Sequence, residues 1–225
     1  SSTFSITVYV DPRPTVAVSP TSPLPICSGG TINLTPSNPN SVSGSIDYNW
    51  SRNVIAGVTG LTSGTGIISG VLTNTTNAPQ TVTFTITATS NAGCTSVTPA
   101  TVNVTVNPIP TLSITNSTQT ICSDASITSI VLTNPNAVAG TTFSWNGGNN
   151  PNITGISAGS GTSITGTLVN STNTIQTTTF TITASANGCN IIVGTATITV
   201  KPKPTITATP ATQEICGASA ITNIL

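Results

Sequence analysis

The chain has 225 residues, four of them basic, four acidic and none histidine, and its formal net charge is zero. Globular domains ordinarily hold about a quarter of their residues as charges. At 4% charged the chain has no basic footprint for nucleic acid and no polybasic face for an anionic membrane. Without histidine a Ser/His/Asp arrangement is impossible, and Asp11, Asp47, Asp124 and Glu214 are too scattered for paired carboxylate chemistry. We therefore read the chain as no enzyme, without catalytic residues, cofactor or metal.

Polarity is supplied instead by neutral side chains, with 48 threonines among them. No apolar run approaches the roughly 18 residues that span a bilayer, so membrane insertion is not expected. The first ten residues lack the basic region of a signal peptide.

In chain order, Phe4 to Val10 reads as a strand that ends at Asp11-Pro-Arg-Pro14. A short strand and a proline-rich stretch, Pro20 to Pro25, lead to ICSGG at 26–30. Short strands follow at 31–34, at 46–51 with Trp50, and at 66–73 after a glycine-rich turn. In 81–88, Val82, Phe84, Ile86 and Ala88 alternate with threonines, the pattern of a half-buried strand with a hydroxyl face. A last strand, 101–106, runs into Asn107-Pro-Ile-Pro110, and the order begins again.

The repetition has a period of about 95 residues. Trp50 and Trp145, Cys27 and Cys122, and Cys94 and Cys189 are each 95 apart, and a third linker stands at Lys201-Pro-Lys-Pro204. Cutting at the linkers gives 1–10 as the closing strand of a preceding repeat, 11–106 and 107–200 as whole repeats, and 201–225 as the opening of another. The chain is thus expected to be a window on a longer array. About seven strands per repeat, with one tryptophan in the third, fit an all-β immunoglobulin-like sandwich. Trp50, Trp145, Phe84 and Phe180 fall on inward positions and are expected in the core.

The succession of a PxP linker, ICSG, FSW, GxGxxIxGTLxN, TxTFTITxxANGC and a closing TxTVxPxP resembles the PKD-like repeats of very large secreted surface proteins of Bacteroidota. The resemblance covers essentially the whole chain. It implies tandem Ig-like sandwiches, export by the type IX secretion route to the cell surface, and a role as the stalk of an adhesin or surface fibre. The Trp-Asp-Phe-Gly-Asp-Gly turn of the original PKD pattern is absent, since SRN and NGG follow the tryptophans.

None of the five cysteines is closer than 27 residues to another, which is unlike zinc spacing. Cys27/Cys94 and Cys122/Cys189 both span 67 residues, so a repeated disulfide within each repeat is the economical reading, with the partner of Cys216 beyond Leu225. In an Ig topology those pairs would stand at opposite ends of the sandwich. Free thiols, or a bridge between neighbouring repeats, stay open. Disulfides imply an oxidising, extracellular compartment.

Two functions compete on the sequence. The first is a spacer whose partners are neighbouring repeats of the same chain, joined into a rod. The second is a module that binds polysaccharide or another surface through the threonine faces and the loops at 57–66 and 155–163, or that packs identical chains into a fibre.

Overall fold

The structure, a computed structural model, describes residues 3–206 together with 212, 214, 216 and 217, with side chains at all of these except 191–193. Every regular element among the described residues is a strand. The residues group into two units. The first comprises Ser1–Ser113, Thr133–Phe143 and Thr183–Val193, and the second Ile114–Leu132, Ser144–Ile182 and Gly194–Leu225.

The first repeat supplies β1 (Ala17–Ser19), β2 (Ile26–Cys27), β3 (Gly30–Ser37), β4 (Ile46–Arg52), β5 (Val58–Gly60), β6 (Ser63–Thr65), β7 (Ile68–Asn74), β8 (Gln80–Ser90) and β9 (Ala100–Asn107). One sheet has the order β1-β3-β7-β5 and the other β2-β9-β8-β4-β6. Alternation decides which residues enter the core between them. Ile32, Leu34, Ile68 and Leu72 come from the first sheet, and Trp50, Phe84, Ile86, Val102 and Val104 from the second. On the outer face, Thr81 and Thr105 face each other across the ladder with hydroxyls 3.2 Å apart, and the Thr83 hydroxyl donates to Asn103 at 2.8 Å. Hydroxyl and amide pairs take the cross-strand places that charges fill elsewhere. That is how a sheet surface stays polar at 4% charge.

The second repeat supplies β10 (Ser113–Thr115), β11 (Thr118–Cys122), β12 (Ala125–Ser126), β13 (Ile130–Thr133), β14 (Thr142–Trp145), β15 (Ile153–Thr154), β16 (Gly159–Ser160), β17 (Ser163–Ile164), β18 (Thr167–Asn170), β19 (Gln176–Ala186) and β20 (Cys189–Lys201). Its five-stranded sheet, β11-β20-β19-β14-β16, repeats the order of the first copy. The opposite layer is split into β10-β13-β17 and β12-β18-β15. One extra residue is the cause. Ala125 faces Leu168 but Ile130 faces Ile164, a slip of one position, and the buried residues Ile127, Ile130 and Leu132 break the alternation that Ile32 and Leu34 keep. The bulge leaves backbone groups without ladder partners. Gln119 and Asn116 satisfy them: the Gln119 amide donates to Thr128 O at 2.8 Å and accepts from Thr128 N at 2.8 Å, and Asn116 donates to Ser129 O at 2.9 Å.

The chain therefore has the all-β, tandem Ig-like sandwich architecture expected of it, with one correction in the core. Phe84, Phe180 and Trp50 are buried, but Trp145 is only half-buried. Both indoles lie on a glycine of the neighbouring strand, Gly64 under Trp50 and Gly159 under Trp145, where a Cβ would stand 2.5 and 2.8 Å from the ring. Two residues on, the copies diverge. Arg52, on the same face as Trp50, is buried and donates to the carbonyls of Asn53, Val58 and Leu61. Gly147 stands at the matching place and brings no side chain there. The Trp145 indole N–H instead donates to Ser157 O at 3.2 Å.

Residues 3–10 form no ladder, and Phe4, Ile6, Val8, Tyr9 and Val10 are exposed. Of the segment 201–225, positions 207–211, 213, 215 and 218–225 lie outside the described residues.

Trp50→Ala should cost about 3–5 kcal/mol by cavity creation, whereas Trp145→Ala should cost roughly 1–2 kcal/mol because less of its area is buried. Denaturant unfolding of the two variants measures the difference. Equal losses would mean that Trp145 is as buried as Trp50.

Candidate functional site: the disulfide-closed end of the first unit

Strand β2 lies parallel to the last residues of β9, with Ile26 opposite Val106 and Cys27 opposite Asn107. The next amide, Ser28 N, donates to Asn107 O at 2.8 Å. Cys27 is thereby fixed beside the exit of β9. Cys94 lies before β9 begins at Ala100. The ladder alone, seven steps of about 3.3 Å, separates the two ends by roughly 23 Å, while a disulfide needs Cα atoms about 4.4–6.8 Å apart. The pairing of Cys27 with Cys94 is corrected on this ground. Cys122 pairs in register with Lys201, at the exit of the strand that Cys189 opens, so Cys122 and Cys189 are not bridged either.

Cys27 is bonded instead to Cys189, 162 positions on, with Cα atoms 5.6 Å apart and both residues in the first unit. Cys94, Cys122 and Cys216 are free. Cys189 owes its position to a two-residue turn: Asn187 and Gly188 have φ of 51° and 79° between β19 and β20, the geometry for which Asn-Gly is the favoured hairpin sequence. The carbonyl of Asn187 accepts from the Asn107 side chain at 2.8 Å. Cys189 and Asn107 are both buried. A covalent bond and a hydrogen bond thus close on the same four-residue neighbourhood.

Two asparagine devices hold this end in shape, and the sequence reading missed both. In the first, Asn136 clamps the linker: its amide donates to Ile109 O at 2.9 Å and accepts from Thr111 N at 3.0 Å. Asn40 does the same to the preceding linker, donating to Arg13 O at 2.8 Å and accepting from Thr15 N at 3.0 Å. The signal was the triplet Asn-Pro-Asn, present at 38–40 and 134–136. In the second, buried Asn74 donates to Ala78 O and Val106 O, both at 2.8 Å, and accepts from Thr76 N at 2.9 Å. Asn170 repeats these bonds with Thr174, Val200 and Thr172. Both amide nitrogens are occupied and buried, so these two Asn-x-Thr sequences are structural.

The remaining candidates stay apart. Asp124 forms an exposed ion pair with Lys203 at 3.2 Å, a contact of small energetic weight. Among the described residues no group of three or more His, Cys, Asp or Glu is placed to hold a metal, and no helix is long and apolar enough to cross a membrane. Burial pushes the Tyr48 phenol above its ordinary value of 10.0. The neutral phenol is therefore favoured in the folded state, and that contribution is lost as pH rises above about 10. The glycines of the two loops have packing roles. Gly60 and Gly155, with φ of 109° and 120°, lie where a Cβ would strike Val71 O and Thr167 O at 2.1 and 2.0 Å, and Gly64 and Gly159 lie under the indoles.

A family model described as PKD-like domain matches residues 25–110 and again 119–204, most of the chain in two copies. The chain belongs to the PKD-like domain family. No curated protein matches it. Solved structures similar to it include Drosophila N-cadherin EC1-4, at 15% identity over 85% of this chain and 50% of that one with a TM-score of 0.34. Human CDH23 EC21-23 matches at 13% identity over 85% of this chain and 70% of that one, TM-score 0.32. The Sidekick-1 immunoglobulin domains 1-4 match at 15% identity over 85% and 49%, TM-score 0.36. This PKD-like chain spans about half the length of the first and the third.

Alkylation of the folded, unreduced chain should label Cys94 and Cys122 and leave Cys27 and Cys189 unmodified until a reductant is added; a Cys27–Cys94 peptide in the digest would overturn the observed pairing. Asn74→Ala strands the Ala78 and Val106 carbonyls and the Thr76 amide, and should cost about 2–3 kcal/mol. Exposed Asn49→Ala should stay within about 0.5 kcal/mol in the same unfolding measurement.

Proposed function

We propose that this PKD-like chain is a spacer segment of a long extracellular surface protein, a stalk that separates an adhesive or motile end from the cell. The observation that carries the reading is the Cys27–Cys189 bond, which ties successive sequence repeats to each other rather than stabilising each alone. The linkers add to it. Proline fixes φ, and the clamps from Asn40 and Asn136 remove freedom from the residues around it. A chain whose junctions are fixed in this way has the features of a spacer.

The disulfide supports an oxidising compartment outside the cytoplasm. The repeat motif likens the chain to secreted surface proteins of Bacteroidota, for which the type IX route would be the exporter. Residues 3–10 support the array: Val8 and Val10 precede their linker exactly as Val104 and Val106 precede theirs, yet the first pair is exposed and the second buried. They have the alternation of a closing strand whose sheet belongs to an earlier repeat, and 201–225 would open a later one.

Small-angle scattering on chains of two, four and six repeats tests the stalk. An Ig-like sandwich is roughly 40 Å long, so the maximum dimension should grow nearly linearly by about that length per repeat. Particles that stay compact as repeats are added would refute a stalk and favour a folded-back binding assembly.

A further inference from the structure

We propose that the Cys27–Cys189 bridge recurs at every junction: the cysteine after each linker is bonded to the hairpin cysteine of the following repeat, so the array is stapled by overlapping disulfides. The proposal rests on the stalk reading above, because Cys94 and Cys122 then need repeats on either side of the two described here.

Cys122 is built as Cys27 is. Strand β11 lies parallel to β20 with Cys122 opposite Lys201, as β2 lies along β9 with Cys27 opposite Asn107. Ser123 N donates to Lys201 O at 2.8 Å, the distance of Ser28 N to Asn107 O. The Ser123 hydroxyl accepts from Asn170 N at 3.0 Å, as Ser28 accepts from Asn74 N at 2.9 Å. The neighbourhood that positions one bridging sulfur is thus reproduced around an exposed thiol.

The other half of the bond is kept in part at Cys94, where a loop, 91–99, replaces the two-residue turn but the glycine before the cysteine remains. That glycine, Gly93, has a φ of 81°, which matches the 79° of Gly188 before Cys189. Burial supplies an independent observation. Val138 and Cys189 are 3% and 1% exposed within the first unit, whereas their counterparts Val42 and Cys94 are half-exposed. The surface that one copy covers lies open in the other. Its occupant is the linker-proximal end of a preceding repeat of the same kind.

The bond forms by oxidation of two thiols. The Cys122 thiolate attacks a sulfur of a disulfide oxidoreductase or of a small disulfide, releasing one thiolate and leaving a mixed disulfide. The hairpin thiolate of the next repeat then attacks that mixed disulfide at the Cys122 sulfur. The second oxidant thiolate leaves, so the two protein thiols lose two protons and two electrons and the oxidant disulfide becomes a dithiol.

This connectivity has a mechanical consequence that pairing within repeats lacks. Cys94 and Cys122 are 28 positions apart, and each bridge carries the covalent path across to a hairpin two repeats beyond the one it left. Only those 28 positions per two repeats can be drawn out, at most about 100 Å. Cys27 and Cys216, two repeats apart in sequence, are 189 positions apart, so reduction should lengthen the extensible chain about sevenfold.

The test is force extension of the full-length tandem protein, held at its ends, before and after a phosphine reductant, with peptide mapping of the unreduced chain. The expected result is a gain near sevenfold and linked peptides that join each post-linker cysteine to the next hairpin, Cys122 included. Pairing within repeats leaves 28 extensible positions per repeat, which limits the gain to about three- to fourfold; that gain, no gain, or alkylated thiols at Cys94 and Cys122 in the full chain would each overturn the proposal. Cys122→Ser in the full chain should release one alkylatable hairpin thiol in the following repeat and none elsewhere. Scattering that grows linearly while the bridges map within repeats would leave the stalk standing and remove the staple.

Discussion

The parallel pairing of a short strand with the last residues of a long one governs this molecule. Because β2 lies along β9 with Cys27 opposite Asn107, the post-linker cysteine is carried to the end of the sheet where the chain leaves for the next repeat. The hairpin cysteine is carried to the other end by the turn that opens the same long strand. A sheet cannot bring its own two ends within the few ångströms a disulfide spans. The repeat therefore has no means of closing on itself through these residues. The observed bond to Cys189 follows from strand direction before any question of energy arises.

With the disulfide committed to the junction, each repeat must hold together by other means. The core between the sheets does most of this, with Phe84, Leu34, Ile68 and Leu72 fully buried in the first copy. The buried asparagines do the rest. Asn74 and Asn170 each bind a turn to the carbonyl next to the linker, at Val106 and Val200, so the end of the long strand that presents the cysteine cannot fray without breaking a buried amide network. Neutral groups suit this task. A charged side chain at the same depth would need a partner, and the low charge of the chain offers few.

Much of this was legible in the residues. Period-two alternation in 81–88 and 101–106 located β8 and β9, and the repeat of 95 located the second copy of each. The cysteine pairing was harder to read, because equal spacing within repeats and across them is the same arithmetic. Cys27 to Cys94 recurs with the period, and Cys27 to Cys189 is the same interval lengthened by one period. Only the direction of a two-residue strand separates the two readings, and two residues carry no periodicity. Trp145 misled for a related reason. Its own position repeats that of Trp50, but two residues on glycine stands where the first copy has the buried Arg52, and the indole is only half-buried. The one-residue insertion before Ile130 is visible in the sequence once the two copies are aligned; that it splits a sheet, and that Gln119 and Asn116 seal the break, depends on contacts between segments that no local pattern joins.

The differences between the copies show which features the array can relinquish and which it keeps. A four-stranded layer is divided, an indole is half uncovered, and a buried arginine is dropped, yet the serine after each post-linker cysteine still donates to the strand exit at 2.8 Å in both. The Asn-Pro-Asn clamp and the asparagine at the end of β7 and β18 are also unchanged. The glycines beneath the two indoles are kept as well, while the hairpin before the last strand changes from the loop 91–99 to the turn 187–188. An interior of apolar side chains can repack as long as it stays filled, whereas the buried amides that tie a turn to Val106 and to Val200 have fixed partners and leave the end of the long strand no such latitude.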